Sequence, residues 1–314
     1  MNFIQFYLWW DCNNNCKFCF AKLLKEHKST INERLKALNY VLDYLNNTQY
    51  IKEFDIVGLI GGEFFENQLD DLEVYNKFLE VIDKSIELIQ SHTISKLFLM
   101  THLIYPKSDK LNEVINKFKL ANLTDSLAIC TSCDLWGRFH TPERFEMWQN
   151  NIKYLRAQNI NVHVEFILCQ KLIENILSNT FNFKFLDDLG VSFDFLNPQG
   201  YVTRDQVTGD TKEETVNHLG TGWLPLRSSF LKFLAYLQCY YPFKLRNLFT
   251  LDKRAQELHF IPQNRVQYRD IETYNENIEA DTILPCGHSD RFSFYEDSDK
   301  CMICDIKHFQ EGLD

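Results

Sequence analysis

The chain is predicted to be an α/β protein, a partial (β/α)6 barrel carrying a helical C-terminal extension and a small metal-bound hairpin. Two patterns lead there. Over the first two thirds of the sequence, short apolar runs alternate with amphipathic helical stretches, the arrangement that builds a parallel sheet from βαβ crossovers. After about residue 200 the alternation stops, and cysteines gather near the C-terminal end. An apolar fraction of 45%, with 26 Phe and 14 Tyr, supplies core for one large domain and a smaller appendage without disulfides. The low Gly and Pro content, 11 and 7, argues against collagen-like or linker-dominated architecture.

The first apolar run, Phe3–Trp10, is too short to span a bilayer and has no basic region before it, so it reads as a buried strand. Further candidate strands are Phe54–Ile60, Lys96–Thr101, Ser126–Thr131, Asn161–Leu168 and Val191–Leu196. Apolar residues recur at helical spacing over Ile31–Leu45, Leu72–Ser91, Leu111–Lys119 and Pro142–Gln158, and less regularly over Leu172–Leu189. Thr141 can cap the helix that Pro142 and Glu143 open, which places Arg138 and His140 in the loop after the fourth strand. In parallel barrels such loops, at the C-terminal ends of the strands, build the active site. A polar loop (Thr203–Thr215), an apolar stretch (Phe230–Leu237) and a Cys-rich segment (Pro285–Ile306) complete the chain. The predicted division is residues 1–200 for the barrel, 201–280 for the helical extension and 281–314 for the hairpin.

A formal charge of −10 disfavours a polyanionic nucleic acid as partner, because that contact needs clustered Lys and Arg to displace counterions. With no export signal read, the ten cysteines point to a reducing, cytoplasmic setting, where clustered thiols bind metals or do redox chemistry more often than they form bridges.

The central signal is Cys12-Asn13-Asn14-Asn15-Cys16-Lys17-Phe18-Cys19, directly after the first strand. Three thiolates in one loop can hold three irons of a cubane cluster and leave the fourth iron open, whereas structural zinc prefers four protein ligands. The segment resembles the C-x3-C-x2-C motif of the radical S-adenosylmethionine superfamily, including the aromatic Phe18 before the last cysteine. The resemblance covers roughly residues 1–200 and implies a TIM-like partial barrel. It implies a 4Fe–4S cluster on Cys12, Cys16 and Cys19, and S-adenosylmethionine cleaved to a 5′-deoxyadenosyl radical that abstracts hydrogen from a small-molecule, nucleotide-like or peptide substrate. A reducing partner such as flavodoxin or ferredoxin is implied as well.

Other residues match that family's cofactor-binding positions. Gly61-Gly62-Glu63 after the second strand looks like the motif at which the glycines admit close backbone approach and the acid region receives the methionine ammonium. Ser132 and Asp134, expected to share a strand face, are similar to the ribose-binding Ser-x-Asp, and Arg138 resembles a base for the methionine carboxylate; local capping and a solvated ion pair are the alternative. Glu165 falls where related enzymes carry a polar residue pointing into the barrel, with His163 on the same face read as structural. Asn197, before Pro198, matches the position that wraps the adenine. Thr101-His102 keeps only the Thr of a Thr-Asn-Gly turn.

At the C-terminal end, Cys286, His288, Cys301 and Cys304 admit two readings. They satisfy tetrahedral zinc with four protein ligands, or they resemble the twitch and SPASM extensions that bind auxiliary iron–sulfur clusters. An auxiliary cluster would suit a peptide- or protein-modifying maturase. A non-catalytic metal-binding interaction module is the competitor from another class. Cys130, Cys133, Cys169 and Cys239 are predicted to be buried apolar residues rather than ligands.

Overall fold

The computed structural model describes residues 3–9, 11–14, 16, 29–196, 225–245 and 255–260. Strands β1 (Phe3–Tyr7), β2 (Ile56–Ile60), β3 (Lys96–Met100), β4 (Leu127–Ser132), β5 (Asn161–Ile167) and β6 (Ser192–Leu196) alternate with helices. With β7 (Ala255–Phe260) they form one open sheet in the order β6-β5-β4-β3-β2-β1-β7. Consecutive strands from β1 to β5 pair in parallel. The fold is therefore the α/β partial barrel that the alternation predicts. Strand β7 was not foreseen; it lies in the stretch expected to be helical and pairs parallel to β1, with a register shift between Phe3 and Ile4.

Helix starts follow the local chemistry. Helix α1 (Ile31–Asn46) opens on a capping box in which Glu33 N–H donates to Thr30 Oγ1 (3.3 Å) and Thr30 N–H to Glu33 Oε2 (2.7 Å). The short α2 (Thr48–Ile51) follows. Helix α3 (Leu72–Gln90) is capped by Asp71, which accepts from Glu73 and Val74. Helix α4 (Asp109–Leu120) is capped by Ser108 and ends on Lys117 and Lys119, which suit the negative end of the dipole. Helix α5 (Pro142–Ala157) has Thr141 at the cap position, but its side chain makes no capping hydrogen bond. The stretch Leu172–Leu189 is not one helix. It breaks into α6 (Gln170–Leu177) and α7 (Lys184–Leu189), because the Asn175 carbonyl captures Thr180 N–H (2.9 Å) and Phe181 N–H (3.1 Å), with Asn179 at φ 59.

By internal packing the described residues fall into two units. The first takes the chain to Glu165, then Leu186–Phe193 and β7. In it every second strand residue is buried, among them Ile4 and Phe6, Val57 and Leu59, Leu97 and Leu99, and Val162 and Val164. That face meets the helices: Phe6 lies edge-on to Tyr44 of α1 (5.2 Å), and Trp148 of α5 donates to Thr131 Oγ1 (3.0 Å). On the opposite face Gln5, Tyr7, Phe98, Met100, Ser132, His163 and Glu165 are half-exposed, while Ile60 and Cys130 are buried. The second unit centres on aromatic contacts: Phe166–Phe183 (5.3 Å), Phe183–Phe195 (5.6 Å) and Phe195–Phe233 (5.2 Å), the last from helix α8 (Arg227–Tyr240). Among the described residues no helix is long and apolar enough to cross a membrane.

Candidate functional site

After β1 the chain runs beside the end of β2, and backbone bonds join the two. Leu8 N–H donates to Ile60 O (3.0 Å), Gly62 N–H to Trp9 O (2.7 Å) and Glu63 N–H to Asp11 O (2.8 Å). The Trp9 indole closes the same seam by donating to Glu63 O (3.0 Å). Gly61 has φ 150, and a Cβ there would lie 2.4 Å from Trp9 O, so only glycine permits this approach. Gly61-Gly62-Glu63 and the segment leading into Cys12, widely separated in sequence, thus form one structure.

The Glu63 carboxylate is fully buried and committed. Oε1 accepts from Phe64 N–H (2.9 Å) and Phe65 N–H (3.0 Å), Oε2 from His102 N–H (2.8 Å), and both lie 2.9 Å from Thr101 Oγ1. These donors meet the charge that burial would otherwise penalise. The acid pins the turn after β2 to the end of β3. Thr101, all that remains of the expected Thr-Asn-Gly turn, also lies 2.9 Å from Tyr105 Oη. Leu103 sits where that turn has glycine and takes φ 55, so the left-handed shape survives in a residue that adopts it with strain. Burial pushes the Tyr105 phenol well above its usual range; the Glu63 and Glu66 charges add to this and the Thr101 hydrogen bond opposes it.

His102 is buried, and its Nδ1 accepts from Ile104 N–H (2.9 Å), which leaves the ring proton on Nε2. Nε2 lies 3.5 Å from Glu63 Oε2 and 3.6 Å from Glu66 Oε1. Glu66 in turn accepts from Asn13 N–H (3.2 Å) inside the cysteine loop. Burial pushes the Glu66 carboxyl up, but the His102 ring, the Asn13 N–H and the Arg144 charge outweigh it and hold the group below the usual carboxylate range.

Two further tethers fix the loop. Asp11 accepts Ser29 N–H through both oxygens (3.1 Å each) and lies 3.4 Å from Arg34 Nη2, so the chain leaving β1 and the chain entering α1 meet. Arg144 Nη2, from the first turn of α5, donates to Asn14 Oδ1 (2.8 Å). Within the loop Asn14 N–H donates to Cys12 Sγ (3.4 Å), while Cys16 is buried. Sequence reading missed Asp11, Glu66 and Arg144. Asp11 adjoins Cys12 and Glu66 follows Glu63 by three places, but nothing in the sequence links Arg144 to a loop 130 residues away. Phe18, Cys19, Asn197, Cys286, His288, Cys301 and Cys304 lie outside the described residues.

Across β4 and β5 the sequence expectations need correction. Strand β4 ends at Ser132, so Ser132 and Asp134 do not share a strand face: Ser132 is half-exposed, and Asp134 is buried and accepts from Trp136 N–H (3.0 Å) and Gly137 N–H (2.8 Å). Asp134 therefore caps its loop, and Arg138 N–H donates to its carbonyl (3.1 Å). Ser132 pairs in register with Glu165, which is half-exposed at the C-terminal end of the inner face. His163, on the same face, lies 2.9 Å from Ser192 Oγ. His140 is exposed. Cys130, Cys133 and Cys169 are buried as expected. Burial and the neighbouring Asp134 charge raise the Cys133 thiol well above its usual range, with Arg138 opposing, so it stays protonated. Cys239 is exposed, because α8 buries Phe230, Phe233, Leu234 and Leu237 and the helical period turns Cys239 away from them.

No family model and no curated protein matches the chain. Among solved structures it is similar to Streptococcus suis SuiB, at 13% identity and a TM-score of 0.44 over 93% of this chain and 54% of that one. It is also similar to anSMEcpe with bound AdoMet, at 14% identity and a TM-score of 0.49 over 82% of this chain and 63% of that one. A further match is anSMEcpe with bound AdoMet and the Cp18Cys peptide, at 13% identity and a TM-score of 0.44 over 82% and 62%. The chain thus covers 54% to 63% of the length of these three structures.

Proposed function

We propose that the chain is a radical S-adenosylmethionine enzyme in which Cys12, Cys16 and Cys19 hold a 4Fe–4S cluster. The observation that carries the reading is the backbone seam between the cysteine loop and Gly61-Gly62-Glu63, made by the Gly62-to-Trp9 (2.7 Å) and Glu63-to-Asp11 (2.8 Å) hydrogen bonds. Two motifs that matter only as neighbours are neighbours. Cys12 Sγ accepts an N–H from Asn14, as a metal-bound thiolate does, which supports a ligand role for it. When bound, the cluster supplies the electron that cleaves S-adenosylmethionine to a 5′-deoxyadenosyl radical, which takes a hydrogen from substrate.

The protein's part is binding and orientation. Glu63 shapes the turn that would face the methionine ammonium, and its carboxylate keeps that turn rigid through its buried donors. Ser132 and Glu165, adjacent on the inner face, would meet the ribose or the substrate, with Arg138 nearby for a carboxylate and Asn197 for the adenine. Tyr7, Phe98 and Met100 line the same half-exposed face and would exclude water from the reacting groups. In the tail, Cys286, His288, Cys301 and Cys304 would take zinc or a second cluster. A reduced flavodoxin or ferredoxin in the cytoplasm would deliver the electron.

The test is anaerobic reconstitution of the full chain with iron and sulfide, followed by dithionite and S-adenosylmethionine. Release of 5′-deoxyadenosine is expected from the wild-type chain and not from Cys16→Ala. Reconstituted protein with a full cluster that never releases it would end this reading.

A further inference from the structure

The cysteine loop carries a cationic clamp. Asn14, between Cys12 and Cys16, is only 2% exposed. Its Oδ1 accepts from Arg144 Nη2 (2.8 Å), while its own N–H donates to Cys12 Sγ (3.4 Å). One residue therefore links a guanidinium to a sulfur. Arg144 Nε is buried with no hydrogen-bond partner among the described residues, and no carboxylate there forms a salt bridge with it. Glu66, the acid whose carboxyl feels the Arg144 charge, turns its own hydrogen bond to Asn13 N–H instead. Among the described residues the half-buried Arg144 guanidinium thus meets the Glu66 charge at a distance rather than through a salt bridge, in a place where solvent screens it incompletely.

Two consequences follow. Holding Asn14 by its side chain keeps its N–H aimed at the Cys12 sulfur. A fixed cation joined to a ligand thiolate through one residue also favours the more negative state of whatever that thiolate binds, and hydrogen bonds to ligand sulfur act in the same direction. Resting on the reading of this loop as the cluster ligand loop, we infer that Arg144 is a positioning residue of the metal centre: through Asn14 it fixes the ligand loop, and its charge makes the cluster easier to reduce.

The experiment compares the wild-type chain with Arg144→Gln, Arg144→Lys and Asn14→Leu. Without S-adenosylmethionine, the midpoint potential of the reconstituted cluster is read by EPR-monitored titration. In the metal-free chain, the rate of Cys16 alkylation is read by peptide mass spectrometry. For Arg144→Gln, one-electron reduction is expected to become about tenfold less favourable, a shift of about 59 mV to more negative potential. Cys16 should label several-fold faster. Arg144→Lys keeps the charge and should hold the potential nearer the wild type, while labelling faster because the Nη2 hydrogen bond to Asn14 is lost. Asn14→Leu leaves α5 untouched and should also speed labelling, so the clamp stays testable if the Arg144 variants do not fold. Wild-type potential and wild-type labelling in folded Arg144→Gln would overturn the inference. A wild-type chain that takes up no cluster sinks the enzyme reading alone, and the labelling rates then decide the clamp.

Discussion

Glu63 is a charge placed where a charge ought to be costly, and it persists because three backbone N–H groups and a hydroxyl converge on it. Its neighbour Gly61 is fixed just as firmly by sterics. Gly61→Ala would put a methyl 2.4 Å from Trp9 O, a backbone atom that cannot swing away. A loss on the order of 3 kcal/mol is expected in urea unfolding, and an unchanged midpoint would contradict the close approach. Tyr105 gives the pH signature of the same network. Its folded-state pKa is raised by burial and by the Glu63 and Glu66 charges. Its contribution to stability is therefore complete below the unfolded value of about 10 and is lost as pH rises above it. Melting temperatures taken from about pH 8 to about pH 11 should fall more steeply for the wild type than for Tyr105→Phe. Of the candidate site, Cys12, Cys16 and Gly61-Gly62-Glu63 could be singled out in the sequence because their types and spacing suggest the proposed chemistry. Arg144 could not, because its partner is set by the fold.

Elements were legible where local chemistry marks their ends. The Thr30–Glu33 box, the Asp71 and Ser108 caps and Pro142 each open a helix within a residue or two of its expected start. Thr30 also follows Ser29, whose N–H Asp11 accepts. Thr30→Ala should cost about 1 kcal/mol in thermal or urea unfolding. A variant as stable as the wild type would mean that the box adds nothing. The misreadings have local causes too. Helix α6 stops because Asn175 turns its carbonyl to Thr180 and Phe181, a choice that apolar periodicity does not register. Strand β7 escaped notice because a short run, Ala255–Phe260, becomes a strand by pairing with β1.

For the molecule as a whole, the expectation concerns metals. Anaerobically reconstituted full-length chain is expected to carry about four iron and about one zinc, with Cys301→Ala losing the zinc and keeping the iron. Metal analysis giving about eight iron and no zinc would assign the tail to a second cluster instead. What the sequence by itself determined is the alternation that makes an open parallel sheet and the placing of a three-cysteine loop after its first strand. Both are local patterns, fixed by apolar period and residue spacing. Only the tertiary structure decided what holds that loop: Asp11 on Ser29, Glu66 on Asn13 and Arg144 on Asn14. The physical reason is that a hydrogen bond depends on distance in space, and residues up to 130 positions apart come within 3.2 Å only once the strands have stacked their loops at one end of the sheet.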